Sequence, residues 1–205
     1  MSNSSKIILH LCADIGSDSK PYLDAGYDVR CIGKDIGVEN YHPREIIHGV
    51  IANPVCTDFS TARSTGKARN PEAGMFLVRH CQRIIKECLP EFWVIENPAK
   101  GVLKHYLGKP QYEYEPWWYG SPWTKKTALW GVFNIPERKY HRWEDVPKIP
   151  ELYTRPTRKK PGLAFNHYGH KKFIREFDCF EANDDMTFRS LCSQKFAKAF
   201  YEANT

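Results

Sequence analysis

Two side chains in this sequence have the chemistry of a nucleophile and an acid. Cys56 stands in Gly49-Val50-Ile51-Ala52-Asn53-Pro54-Val55-Cys56-Thr57-Asp58-Phe59-Ser60-Thr61-Ala62-Arg63. Gly49 to Ala52 is a short apolar run that fits a buried strand, and Asn53-Pro54 breaks it. Glu96 stands in a stretch of the same form, Phe92-Trp93-Val94-Ile95-Glu96-Asn97-Pro98. A thiol and a carboxyl at the ends of two parallel strands make a nucleophile and acid pair. A single cysteine is otherwise accounted for as a small buried hydrophobe. Here the matching Glu96 stretch favours chemistry. Thr57, Asp58, Ser60 and Arg63 follow the cysteine and can hold a polar substrate.

The elements that must carry this pair read as one α/β domain with a mostly parallel sheet and helices on both faces. Strands are expected at 6–13, 29–33, 48–53 and 92–96. The first runs into Asp14-Ile15-Gly16-Ser17-Asp18-Ser19-Lys20-Pro21, where Gly16 lets backbone approach a ligand. Pro21 then opens a helix that ends at Gly26. Strand, glycine loop and helix form the first unit of a nucleotide-type site. Asp35 follows the second strand, where an acid can bind ribose hydroxyls or merely face water. Asn70 caps a helix with Pro71 at its first position, and Leu89-Pro90 ends it. Leu77, Cys81, Ile84, Ile85 and Cys88 keep helical spacing there, which makes Cys81 and Cys88 core residues. A short helix is expected over 101–108 and an edge strand over 112–115. Ser193 caps a last helix with Phe196, Ala199, Phe200 and Ala203 on one face.

At 205 residues the chain suits a single domain with a full core. Its hydrophobic fraction is 41%, and no apolar run approaches the roughly 20 residues of a membrane helix. The expectation is a soluble, cytoplasmic protein. The 7 cysteines are an odd number without a Cys-x-x-Cys pair, so neither a disulfide framework nor a zinc ribbon is favoured. His167, His170 and Cys179 match no standard metal-site spacing, and no metal is expected. A net charge of +6 permits nucleic-acid binding without demanding it. Between Lys148 and Glu176, the cations Lys148, Arg155, Arg158, Lys159, Lys160, Lys171, Lys172 and Arg175 stand against only Glu151 and Glu176. The polar stretch 64–70 carries Lys67 and Arg69. Trp117 to Gly131 interleaves aromatics with Lys125 and Lys126, which suits a base and phosphate surface; an aromatic core is the competing account. No repeat or low-complexity segment is present.

Pro54-Val55-Cys56 with Phe59-Ser60, followed by Glu96-Asn97-Pro98, resembles the cytosine-C5 DNA methyltransferases. Their catalytic loop reads Pro-Pro-Cys followed by Phe-Ser, and their acid sits in Glu-Asn-Val; small phage-type members favour Glu-Asn-Pro. Val55 replaces the second proline. Ala25-Gly26-Tyr27-Asp28-Val29 is similar to the family's Ala-Gly-Phe/Tyr segment, and 119–131 and 189–200 are similar to phage-type segments. The resemblance therefore covers almost the whole chain.

It implies a Rossmann-like S-adenosylmethionine-dependent methyltransferase fold with a reduced target-recognition region. Residues 1–132 would be the catalytic core, 133–185 the short basic recognition-like region, and 186–205 a C-terminal helix completing the core. The cofactor S-adenosylmethionine would lie against Asp14, Ile15, Gly16 and Ser17, with Asp35 and Pro54. Only Gly16 matches the family's Phe-x-Gly-x-Gly loop well. Cys56 would add to ring carbon 6 of a flipped cytosine, and Glu96 would stabilise charge at ring nitrogen 3. Asn97 would hold Glu96 in place. Trp123, Lys125 and Thr127 replace the family's Gln-x-Arg-x-Arg residues, which leaves Lys125, Lys126 or Thr127 to meet the cytosine carbonyl oxygen. DNA contacts would come from Ser60, Arg63, Lys67, Arg69, Lys126, Arg158, Lys159 and Lys160. The partner is DNA, with RNA not excluded; a monomer without a membrane is expected, in the host cytoplasm if phage-encoded. A degenerate methyltransferase fold that binds nucleic acid without chemistry is the rival from another class. The cofactor loop, Val55 and Trp123 support it, and retention of Cys56 and Glu96 opposes it.

Overall fold

The structure is a computed structural model that describes residues 3–13, 15–60 and 69–205. The chain forms two compact units, Met1–Glu113 with Thr127–Phe133, and Tyr114–Lys126 with Asn134–Thr205. The sheet has strands β1 (Ile7–Leu11), β2 (Asp28–Ile32), β3 (Ile47–Ala52), β4 (Phe92–Pro98), β5 (Tyr112–Tyr114) and β6 (Thr127–Val132) in the order β2-β1-β3-β4-β6-β5. The ladders β1–β2, β1–β3 and β3–β4 are parallel. All residues of β1 and β3 are buried, as expected for parallel strands covered on both faces.

The expectation of a mostly parallel sheet needs one correction. β6 pairs with β4 in the antiparallel sense, Glu96 opposite Leu129 and Pro98 opposite Thr127. It comes from the segment offered as an aromatic and lysine surface. A β-carbon on Gly131 would lie 2.0 Å from the Trp93 carbonyl oxygen, so this ladder requires a glycine there. Trp130 is core, and Trp123 in the second unit is fully buried.

Alternation along the strands assigns each face. Ile7, Leu9, Leu11, Val50, Ala52 and Ile95 meet α2 (Pro71–Cys88) through Met75, Val78, Cys81, Ile84 and Ile85. The boundaries of α2 follow from local chemistry. The Asn70 side chain accepts from the Ala73 amide, Pro71 opens the first turn, and Leu89 closes the last in the left-handed conformation. On the opposite face Tyr22, from α1 (Lys20–Asp24), stacks on Phe92 with ring centroids 5.7 Å apart. Gly49 leaves room for that ring: a β-carbon there would sit 2.2 Å from it. The short α3 (Lys104–Leu107) precedes β5.

The second unit holds α4 (Asp185–Ser190) and α5 (Gln194–Ala203). Ser193 caps α5 by accepting from the Phe196 amide. Glu176 lies under the same helix start, accepting from the Gln194 amide at 2.8 Å and the Ser121 hydroxyl at 2.8 Å. Burial pushes its carboxyl above the usual range, and the Ser121 hydrogen bond and Lys195 oppose that. Tyr114 stacks on Phe196 at 3.6 Å. His167 Nδ1 and His170 Nδ1 accept from the amides of Gly169 and His167, and His167 Nε2 faces Asp185 Oδ1 at 3.4 Å. No helix among the described residues is long and apolar enough to cross a membrane.

Candidate active site

The chain leaves β1 to form β2 on one side and then returns to form β3 on the other. Such a reversal leaves a crevice beyond the carboxyl ends of β1 and β3, where open α/β sheets place their ligands. The chain turns sharply on leaving β1. Cys12 is left-handed at φ 56, an uncommon state for a non-glycine residue, and Gly16 follows at φ 73. The Ser19 amide donates to the Gly16 carbonyl at 3.2 Å, closing the 16–19 turn, and the Ser19 hydroxyl oxygen lies 3.2 Å from the same carbonyl oxygen.

β3 ends at the same crevice. The Asn53 amide donates to the Leu11 carbonyl at 3.0 Å, and Pro54, which has no N–H, ends the pattern. The Phe59 and Ser60 amides donate to the Cys56 carbonyl at 3.0 and 2.8 Å, which folds the cysteine loop into a turn. Phe59 is fully buried, and its carbonyl accepts from the Val102 amide at 2.9 Å. A β-carbon on Gly101 would lie 3.0 Å from both the Phe59 and Pro98 carbonyl oxygens, so the segments after β3 and β4 approach closely here.

Glu96 and Asn97 are successive residues of β4 and point to opposite faces. Glu96 Oε2 accepts from Asn53 Nδ2 at 3.3 Å, whereas Asn97 Nδ2 donates to the Pro54 carbonyl at 2.9 Å. Asn97 is completely buried, and its Oδ1 has no hydrogen-bond partner among the described residues. Asn97 therefore clamps the cysteine loop, and the amide that touches Glu96 belongs to Asn53. The expectation that Asn97 holds Glu96 fails for the simple reason of strand alternation.

Asn53 Nδ2 also reaches Asp18 Oδ1 at 3.3 Å. Asn53 Oδ1 meets His10 Nε2 at 2.7 Å, and His10 Nδ1 meets Ser19 Oγ at 2.8 Å. Burial lowers the His10 pKa below the ordinary histidine value, with Asp18 and Asn53 opposing. No motif in the sequence marks His10, Asp18, Ser19 or Asn53 as site residues. One signal was present: His10 is the lone polar residue of an otherwise apolar, fully buried strand.

The other expected residues are placed as follows. Asp14, Arg63 and Lys67 lie outside the described residues. Ile15 and Gly16 are half-buried in the turn after β1; Ser17 is buried there, its hydroxyl 3.2 Å from Asp18 Oδ2. Asp35 is exposed in the turn after β2. Cys56 and Ser60 are half-buried and Arg69 is exposed. Thr127 is buried at the start of β6. In the second unit, Lys125 donates its ammonium to the Ser190 and Leu191 carbonyls, each at 2.9 Å. Lys126, Arg158 and Lys159 are exposed, and the Lys160 ammonium sits 3.9 Å from the Trp117 ring centre.

No protein-family profile and no curated protein matches the chain. Among solved structures, one similar chain is described as a candidate DNA modification methyltransferase encoded within a prophage of E. coli. The two share 17% identity with a TM-score of 0.47, over 63% of this chain and 49% of that one. The chain thus spans about half the length of that protein.

Proposed function

We propose that this chain is an S-adenosylmethionine-dependent DNA cytosine-C5 methyltransferase. The observation that carries the reading is the joining of its two motifs. Pro54-Val55-Cys56 follows β3, Glu96-Asn97-Pro98 ends the neighbouring parallel strand β4, and the two are tied by the Asn97–Pro54 and Asn53–Glu96 hydrogen bonds.

The Cys56 thiolate adds to carbon 6 of the flipped cytosine, because carbon 5 is not nucleophilic until the ring becomes an enamine. Glu96 supplies a hydrogen bond or proton at ring nitrogen 3, where the electron pair accumulates. Loss of the carbon 5 proton then restores the ring and expels the thiolate. Asn97 holds the thiol's loop, and Thr127 or Lys126 meets the cytosine carbonyl oxygen. Support for a cofactor in the turn after β1 is the left-handed backbone of Gly16, which follows the strand at the switch point. Asp14, Ile15, Gly16, Ser17 and Pro54 would hold S-adenosylmethionine, with Asp35 toward the ribose. When bound, it supplies an electrophilic methyl group. Ser60, Arg63, Lys67, Arg69, Lys126, Arg158, Lys159 and Lys160 contact DNA, mainly its phosphates. Residues 133–185 serve target recognition.

One observation favours the rival reading of a binding protein without chemistry. The Lys125 ammonium, a candidate for the cytosine carbonyl oxygen, is engaged by backbone carbonyls. A single experiment separates the two. DNA with 5-fluorocytosine at the target should form a covalent adduct in the presence of S-adenosylmethionine, because fluorine cannot leave as a cation. Cys56→Ser should abolish the adduct. An adduct that survives Cys56→Ser refutes the mechanism, and none across many DNA sequences moves the assignment to the binding protein. An RNA panel run alongside tests the substrate class.

A further inference from the structure

His10 is the only polar side chain of β1 and is 2% exposed, yet both of its ring nitrogens have partners. The donor and acceptor pattern around it is constrained. A carboxyl oxygen without a hydrogen only accepts, so Asn53 turns its NH2 group to Asp18 Oδ1 and Glu96 Oε2 and its carbonyl oxygen to His10. That oxygen cannot donate, so the hydrogen is on His10 Nε2. His10 Nδ1 then accepts from the Ser19 hydroxyl, whose contact to the Gly16 carbonyl is longer at 3.2 Å. The titratable groups around the chain of contacts are Asp18, Glu96 and, beyond Ser19, Cys31 on β2.

We propose that His10 is a positioning residue that, acting through Asn53, fixes Glu96 with Oε2 as an accepting oxygen, so that the proton used in the reaction is carried on Oε1. This rests on the reading of Glu96 as the acid. Without the Nε2 hydrogen the Asn53 amide loses its shortest contact, 2.7 Å, and is held only by the two 3.3 Å contacts to Asp18 and Glu96. A flipped amide would set its oxygen against two carboxylates and turn Glu96 from its place. Asn53 follows β3 on the same face as His10 and Glu96, so the relay crosses three neighbouring parallel strands at the switch point.

The test compares His10→Phe, which keeps a ring and loses the donor, with His10→Gln, which restores an N–H donor. Nitrogen-15 spectra of the wild-type chain should show the Nε2–H tautomer at neutral pH. His10→Phe should lower kcat for DNA methylation about tenfold, the size of one hydrogen bond, with KM for DNA unchanged. His10→Gln should recover most of the loss. The carbon-13 shift of the Glu96 carboxyl should move in His10→Phe and return in His10→Gln. An Nδ1–H tautomer in the wild type overturns the proposal whether or not either variant folds. Equal kcat in folded His10→Phe, or no recovery in folded His10→Gln, overturns it as well. A wild-type chain that transfers no methyl group refutes the functional reading instead, and the tautomer and the Glu96 shift still decide the relay.

Discussion

Replacing Asn97 by alanine removes the clamp between the Glu96 strand and the cysteine loop. The 2.9 Å bond to the Pro54 carbonyl is buried at both ends. Removing one partner and orphaning the buried Pro54 carbonyl costs about 2–3 kcal/mol, the upper part of the range for such a loss. One term offsets this. Asn97 Oδ1 has no partner among the described residues, so deleting it returns about 1 kcal/mol or more. The balance is a loss of about 1–2 kcal/mol, or about 2–8 °C in Tm for a chain of this length. The same energy should appear locally, because the loop opens more often once it is untied. Alkylation of Cys56, read peptide by peptide by mass spectrometry, should accelerate about 5- to 30-fold relative to exposed Cys179. An unchanged Cys56 rate in a folded Asn97→Ala chain would refute the clamp. A large fall in Tm with no change at Cys56 would mean that Asn97 serves the core alone.

Three further outcomes are expected. Gly131→Ala places a β-carbon 2.0 Å from the Trp93 carbonyl oxygen and 3.0 Å from the Val94 α-carbon, so stability should fall by about 3 kcal/mol or more; wild-type urea stability would contradict the antiparallel β4–β6 ladder. Glu176→Ala leaves the Gln194 and Lys195 amides at the start of α5 without their acceptor and should cost about 2–4 kcal/mol in chemical denaturation; a loss below half of that would show that Ser193 alone sustains the cap. Burial lowers the His10 pKa in the folded chain, so below about pH 6.5 the unfolded chain binds more protons there. This contribution to stability is present above that pH and is lost as pH falls through it toward the folded pKa; His10→Gln should remove that component of the denaturation profile, and an identical profile would show that His10 titrates normally.

Some of this protein is legible residue by residue. The Asn70 cap, Pro71 and the spacing from Leu77 to Cys88 specify α2 almost to its ends, because capping and helical period are local properties. Short apolar runs ending in polar corners likewise mark β1, β3 and β4, and the Pro54-Val55-Cys56 and Glu96-Asn97 stretches mark a candidate site. The partners of those residues are another matter. β6 hides in a segment dense in aromatics and lysines, and its antiparallel pairing with β4 depends on a distant strand accepting Gly131 against Trp93. Trp123 looks like a surface for bases until Phe177 packs against it at 5.5 Å. Asn97 turns from Glu96 to Pro54, and Asn53 takes its place, because a strand sends neighbours to opposite faces while the sheet brings residues 43 positions apart within hydrogen-bond reach. His10 acquires meaning only there. A histidine in an apolar run is a signal without a partner, and becomes one end of a relay when β1, β3 and β4 lie side by side.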